Sequence, residues 1–454
     1  MGTDKIMQRR DFLRDAGLAV VGTCLGRRWA AGAAAEQKKP NFVIVFTDDQ
    51  GYGDLGCFGS PNIKTPRIDA LAKAGLKLTS FYAQPVCGPS RTALLTGCYP
   101  PRVAADGRGW RLKGEAVTVA ELLQAAGYAT ACIGKWDVSG RADRPGMMPN
   151  DQGFDSYFGT WGANDGGGVR LVRNRKPLRS TRDMASLTKL YTDEAIAFIK
   201  QHKDEPFFLY LAHTMAHVVI DASVRFKGTS KGDLYGDVIE EIDWSVGRVI
   251  DALQELGLDK NTIVVFTSDN GPWCNREAHY RKTHGGHLAT GSPGPLRGHK
   301  GSNWEGGVRV PCVVWGPGHI PGGRESGAMA ATIDLLPTFA SLGGAGIPKY
   351  EIDGVDQSAL LTGASAKAAR DKHWYYHNGR LGAVRQGRWK LFVGQPKKGA
   401  KTFSALPPSD PRLKLYDLEA DLGETKDVAR QNPDVVRSLL KLADWAIANI
   451  RPMG

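Results

Sequence analysis

Apolar runs that end abruptly in charged or amide residues punctuate this chain. Asn41-Phe-Val-Ile-Val-Phe46 gives way to Thr47-Asp48-Asp49-Gln50-Gly51, and Thr262-Ile-Val-Val-Phe266 to Thr267-Ser268-Asp269-Asn270-Gly271. Such runs leave no polar face, so each predicts a strand buried on both sides, as in a parallel sheet covered by helices. Ala129-Thr-Ala-Cys-Ile133, ending in Gly134-Lys135-Trp136-Asp137, and Phe207-Phe-Leu-Tyr-Leu-Ala212, ending in His213-Thr-Met-Ala-His217, follow the same plan. Helical spacing fills the intervals. Val119–Ala126 is one such stretch, and Gly236–Gly257, with Val238, Ile242, Val246, Val249, Ile250 and Leu253 on one face, is another, its acids forming a solvated side. Strands alternating with helices predict an α/β fold with a large, mostly parallel sheet sandwiched by helices.

A turn-rich stretch, Gly343–Asp356, ends this pattern. Beyond it, HWYYHNGRLGAVRQGRWKLFVG and LKLYDLEADLGE read as short antiparallel strands. Asn432-Pro433 opens a last amphipathic helix with Val436, Leu439, Leu440, Ala443 and Ile447 on one face. We therefore expect a large domain over residues 36–345 and a small α+β part over 346–454, from which His377 and Arg385 would serve mainly structural roles.

The first 35 residues depart from both patterns. Arg9-Arg10-Asp-Phe-Leu, a short apolar run from Ala16 to Gly26 and the small residues Ala33-Ala34-Ala35 predict a twin-arginine export signal, hence passage through the Tat translocase to the periplasm or beyond. The run is too short to span a bilayer. Removal of residues 1–35 would take away six basic and three acidic side chains, so the net charge of +12 would fall to +9. That balance suits an anionic substrate, but no basic tail or nucleic-acid motif accompanies it. The 56 glycines and 25 prolines predict many loops. None of the seven cysteines has a zinc-finger or CxxC partner, so no disulfide framework is expected.

Ligands of parallel sheets bind beyond the carboxyl ends of the strands. If the strands before Asp48 and Asp269 are neighbours, three carboxylates and an amide oxygen (Asp48, Asp49, Asp269, Asn270) gather at one point, an all-oxygen set suited to a hard cation, calcium or magnesium. Lys135, His213 and His217 would face the same rim. Pro85-Val-Cys-Gly-Pro-Ser-Arg-Thr-Ala-Leu-Leu-Thr-Gly97 places Cys87 at the start of a helix, with Pro89 in its first turn and Gly97 at its end. A thiol there could be a nucleophile of lowered pKa, a metal ligand, half of a disulfide or a buried filler.

Cys87-Gly-Pro-Ser-Arg91 resembles the C-x-P-S-R signature of the formylglycine-dependent (type I) sulfatases of the alkaline phosphatase superfamily. Thr47–Gly53, Gly134-Lys135-Trp136, Ser268–Gly271, Leu296–Lys300 and Glu305–Pro311 resemble further family segments, in the family's order. The resemblance implies that a formylglycine-generating enzyme oxidises Cys87 to Cα-formylglycine, whose hydrate attacks the sulfur of a sulfated small molecule or glycan. It implies calcium, with magnesium the second choice, held by Asp48, Asp49, position 87, Asp269 and Asn270; sulfate bound by Lys135 and Lys300; Arg91 fixing position 87; and His217 serving the leaving oxygen. Where the family reads Gly-Lys-Trp-His, this chain has Asp137, which would act as the base that releases sulfate or hold a water there. Trp273–Lys300, rich in His and Arg, would line the substrate mouth, with His284 a substrate contact. Two other readings are a phosphonate or phosphate diester hydrolase of the same superfamily, and a sulfated-glycan binding protein with impaired catalysis.

Overall fold

A computed structural model describes residues 38–274, 276–394 and 402–453; the predicted export signal lies outside them. The first unit of the fold is an eleven-stranded sheet. Its strands are β1 (Asn41–Thr47), β2 (Leu76–Tyr82), β3 (Ala129–Lys135), β4 (Ser156–Thr160), β5 (Val169–Arg173), β6 (Lys176–Thr181), β7 (Phe207–Ala212), β8 (Thr262–Ser268), β9 (Arg309–Trp315), β10 (Arg324–Ser326) and β11 (Ala330–Ala331). They run in the order β10-β2-β9-β8-β1-β7-β3-β4-β5-β6, with β11 also paired to β2. The central strands β8, β1, β7, β3 and β4 are mutually parallel, while β9, β5 and β6 add antiparallel flanks.

Every residue of β1, β3, β7 and β8 is buried, as their unbroken apolar runs predict. Because successive side chains alternate between faces, Val43 and Val45 join one core and Phe42, Ile44 and Phe46 the other. The first core is closed by helices Pro66–Ala74, Leu187–Gln201 and Asp233–Glu255. The second is closed by Cys87–Thr96, Val119–Ala125 and Leu335–Gly343. At roughly 1.5–3 kcal/mol for each large apolar side chain buried, two cores on one sheet hold the strand ends rigidly, which is what a site built on those ends requires.

A four-stranded antiparallel sheet follows: β12 (Lys372–His377), β13 (Arg380–Gln386), β14 (Trp389–Phe392) and β15 (Lys414–Asp417). Its apolar face packs on helix Pro433–Asn449 through Val436, Leu439, Leu440 and Ala443. Buried charge joins the two sheets. Lys390 on β14 lies 2.9 Å from Glu305, which precedes β9, and 2.8 Å from Glu424. Arg385 on β13 bonds the Tyr82 hydroxyl at the end of β2, a structural role as expected. No helix among the described residues is long and apolar enough to cross a membrane.

Candidate active site

Strand adjacency builds the site. β1 and β8 pair in parallel with Thr47 opposite Ser268, so the carboxylates that follow each strand emerge together. Asp49 takes a left-handed backbone (φ 58°) that turns the chain sharply at this point. Its amide donates to Asp269 Oδ1 at 3.1 Å, and Asn270 Nδ2 donates to Asp49 Oδ1 at 2.8 Å. The strands β7 and β3 continue the rim on the other side of β1, bringing His217 and Lys135 to the same place.

Helix Cys87–Thr96 meets this rim with its N-terminus and ends at Gly97 (φ 68°). Cys87 Sγ lies 3.2 Å from Asp48 Oδ1 and 3.7 Å from Asp49 Oδ1, and Lys300 Nζ donates to it at 3.2 Å. Arg91, fully buried one turn further on, donates to Asp269 Oδ2 at 2.8 Å and to the Lys135 carbonyl at 3.0 Å, tying helix, β8 and β3 together. Residue 88 is glycine because a Cβ there would stand 2.5 Å from the Trp110 ring and 3.0 Å from the Asp137 carbonyl oxygen.

The electrostatics are those of a crowded anionic ring met by fixed cations. Lys135 Nζ is 2.6 Å from Asp48 Oδ2, and Lys300 Nζ is 2.7 Å from Asp49 Oδ1. Burial opposes ionisation of Asp48, but Lys135, with His217, Arg91 and Lys300, holds it well below the usual carboxylate range. Asp269 is pushed up to about 7 by burial and by the neighbouring Asp48 charge. The same effects, burial first and then Asp269 and Asp48, push the Cys87 thiol well up. This rise runs against the lowering that a helix N-terminus alone would give Cys87. Cys87 is also unpaired with any other cysteine.

Donor atoms of Asp48, Asp49, Cys87 and His217 lie within 4.8 Å of one another. Asn270 Oδ1 is buried without a hydrogen-bond partner. Buried carboxylates, an orphaned amide oxygen and a forced rise at Asp269 fit a hard divalent cation bound by oxygen.

His217 Nδ1 faces the Val218 carbonyl, which can only accept, so Nδ1 carries a proton and Nε2 is the nitrogen left for chemistry. Nε2 stands 3.7 Å from Asp49 and 3.5 Å from Asp165, and burial, followed by Lys300, lowers its pKa. His213, by contrast, points away from the ring: its Nε2 meets Ser245 Oγ at 3.2 Å and burial alone lowers it to about 4. Asp137 is fully buried beside Lys135, 3.4 Å from its Nζ.

His284 is placed differently from the expected substrate contact. Its Nε2 accepts from the Ile220 amide at 3.3 Å, holding the segment after His217, and its Nδ1 donates to the Tyr280 carbonyl of the preceding helix at 2.8 Å, so both nitrogens have protein partners. Much of the basic stretch around it is spent likewise: Arg281 pairs with Glu277, His287 with Asp233, and Arg297 stacks on Trp304. Two residues beside the site, Arg141 and Asp165, were not singled out from the sequence. Asp165 follows β4, so the rule that strand ends carry the site would have found it.

A family model described as "Sulfatase" matches residues 40–345. The chain belongs to the sulfatase family. Human arylsulfatase A is 36% identical, covering 91% of this chain and 88% of its own. N-acetylgalactosamine-6-sulfatase of Rattus norvegicus is 37% identical over 80% of this chain and 72% of its own. Among solved structures, the PsFucS1 sulfatase from Pseudoalteromonas sp. superposes with a TM-score of 0.77 at 27% identity, over 90% of each chain. Ps i-CgsB, solved with k-i-k-neocarrahexaose, superposes with a TM-score of 0.75 at 28% identity, over 91% of this chain and 94% of that one. This sulfatase is accordingly a sulfuric ester hydrolase, and its large, mostly parallel sheet with a separate antiparallel sheet is the expected fold.

Proposed function

We propose that this sulfatase removes sulfate from a glycan, with Cys87 converted to formylglycine and calcium held by Asp48, Asp49, position 87, Asp269 and Asn270. The observation that carries the reading is the convergence of position 87, Lys135 and Lys300 on the acid ring. A hydrated aldehyde at position 87 would supply the oxygen nucleophile that a protonated thiol cannot. Calcium, when bound, would supply Lewis-acid polarisation of the sulfate group.

The protein's own residues supply the rest. Lys135 and Lys300 bind sulfate oxygens as fixed cations in a buried site, where such contacts act most strongly. Arg91 anchors the helix so that position 87 keeps its aim. His217, its Nδ1 proton held on the Val218 carbonyl, would take a second proton on Nε2 beside Asp49 and Asp165 and give that one to the leaving oxygen. Asp137, with one oxygen free of hydrogen bonds, takes the proton whose removal returns the aldehyde and releases sulfate.

A glycan substrate is supported by N-acetylgalactosamine-6-sulfatase among the relatives and by the oligosaccharide bound to Ps i-CgsB. Arg9-Arg10 and the segment that follows support export through the Tat translocase, and maturation requires a formylglycine-generating enzyme. The two-part layout, residues 36–345 and 346–454, belongs to the same reading. Rates on an aryl sulfate and the matching aryl phosphate, compared with one preparation, test the reaction: sulfate preference is expected, and a phosphate or phosphonate preference would overturn it.

A further inference from the structure

Arg141 and Asp165, which the reaction so far described leaves unused, form a charged bridge with Asp137 at the edge of the site. Arg141 Nε donates to Asp137 Oδ1 at 2.9 Å, and its Nη1 donates to Asp165 Oδ2 at 2.6 Å. Its guanidinium lies over the Trp110 ring, 5.5 Å from the centroid, the same ring that packs against Gly88. The two bridged carboxylates stand beside different working groups: Asp137 Oδ2 is 3.4 Å from Lys135 Nζ, and Asp165 Oδ1 is 3.5 Å from His217 Nε2. Asp137 and Arg141 both hold left-handed backbone, φ 56° and 61°. Side chains other than glycine adopt that conformation rarely, and such residues gather where function fixes the geometry.

Charge explains why the bridge is needed. The inner ring sets Asp48, Asp49 and Asp269 against Lys135, Lys300 and Arg91. Asp137, fully buried where charge is poorly screened, and Asp165, half exposed, add two further negative groups close to where an anionic ester must sit. A planar guanidinium can bond two carboxylates at once through separate N–H groups, which an ammonium on a flexible stem does less well.

We propose that Arg141 is a positioning residue. By engaging Asp137 and Asp165 together it lets a site with an aspartate beside the sulfate position bind an anion, and it occupies one Asp137 oxygen so that the other stays free toward Lys135. The inference rests on the reading of Lys135, Lys300 and position 87 as the sulfate site.

Calorimetric titration with inorganic sulfate tests it without turnover, using the full chain carrying modified position 87. The variants are Arg141→Ala, Arg141→Lys, Asp137→Asn and the double variant Asp137→Asn/Arg141→Ala. Arg141→Ala is expected to weaken sulfate binding by about tenfold or more, and Arg141→Lys by less. In the Asp137→Asn background the Arg141→Ala loss should shrink to within about threefold, because interacting sites are non-additive. Millimolar guanidinium should restore sulfate binding to Arg141→Ala, an effect that a merely structural role would not produce. Equal losses in both backgrounds, or no loss at all, would overturn the role of Arg141 while leaving the sulfate site standing. Failure of the unaltered protein to bind sulfate would overturn both.

Discussion

Thr47 and Ser268 are register partners on neighbouring parallel strands. Two loops of similar sequence, Asp48-Asp49-Gln50-Gly51 and Asp269-Asn270-Gly271, therefore leave the sheet side by side, and the hydrogen bonds from Asp49 and Asn270 across the gap interlock them. The acid ring follows from this alignment, and so does its need for positive charge.

Divalent cation should stabilise the fold through that ring. At a hundredfold excess over its dissociation constant a ligand adds about 2.7 kcal/mol, so melting with added calcium should exceed melting in chelator by a few degrees. Asp49→Asn should abolish most of the difference. An unchanged calcium response in that variant would remove Asp49 from the metal site.

His217 should matter in proportion to the difficulty of the leaving group. His217→Gln is expected to lower kcat on a sugar sulfate by on the order of a hundredfold to ten-thousandfold. The loss should be far smaller on a nitrophenyl sulfate, whose leaving oxygen needs little protonation. Equal losses on the two substrates would argue against proton donation.

His213 sets an acid limit on stability. Burial lowers its pKa from 6.5 to about 4, so the folded state binds the proton less readily than the unfolded chain. The stabilisation is fully present above pH 6.5 and is lost as the pH falls from there through about 4. A shift of this size is worth about 3 kcal/mol. Denaturant unfolding at pH 7.5 and pH 4.5 should show part of this loss disappear in His213→Leu.

The joint between the sheets should be sensitive to Lys390. Lys390→Met leaves Glu424 buried without its cation and Glu305 with Arg309 as its remaining ion-pair partner, and removing one member of such a cluster costs about 3–5 kcal/mol. Unfolding free energy within about 1 kcal/mol of the original would show that the cluster relaxes or takes up water.

The elements that carry the site were legible in the sequence because each has a local cause. Continuous apolar runs made β1, β3, β7 and β8 readable, and Pro89 and Gly97 bounded the helix that carries Cys87. Helices read as Gly236–Gly257 and Val119–Ala126 run Asp233–Glu255 and Val119–Ala125. Features set by tertiary contact were not legible. β6 is exposed or half-exposed along its whole length and shows no burial pattern, Arg141 becomes important only by facing Asp137 and Asp165, and in the His- and Arg-rich stretch around His284, read as a substrate mouth, Arg281 and His287 pair with Glu277 and Asp233 and Arg297 stacks on Trp304. At Cys87 the pull of the helix N-terminus is opposed by burial and by Asp269 and Asp48, contacts that only the folded chain brings together.

The central claim is that position 87 works only after it has ceased to be cysteine. The mass of the peptide containing residue 87, taken from protein co-expressed with a formylglycine-generating enzyme and assayed for aryl sulfate turnover, tests it most directly. The account predicts an aldehyde or its hydrate at that position, with turnover proportional to the modified fraction and absent in Cys87→Ala. Turnover from protein in which every molecule retains the thiol would contradict it.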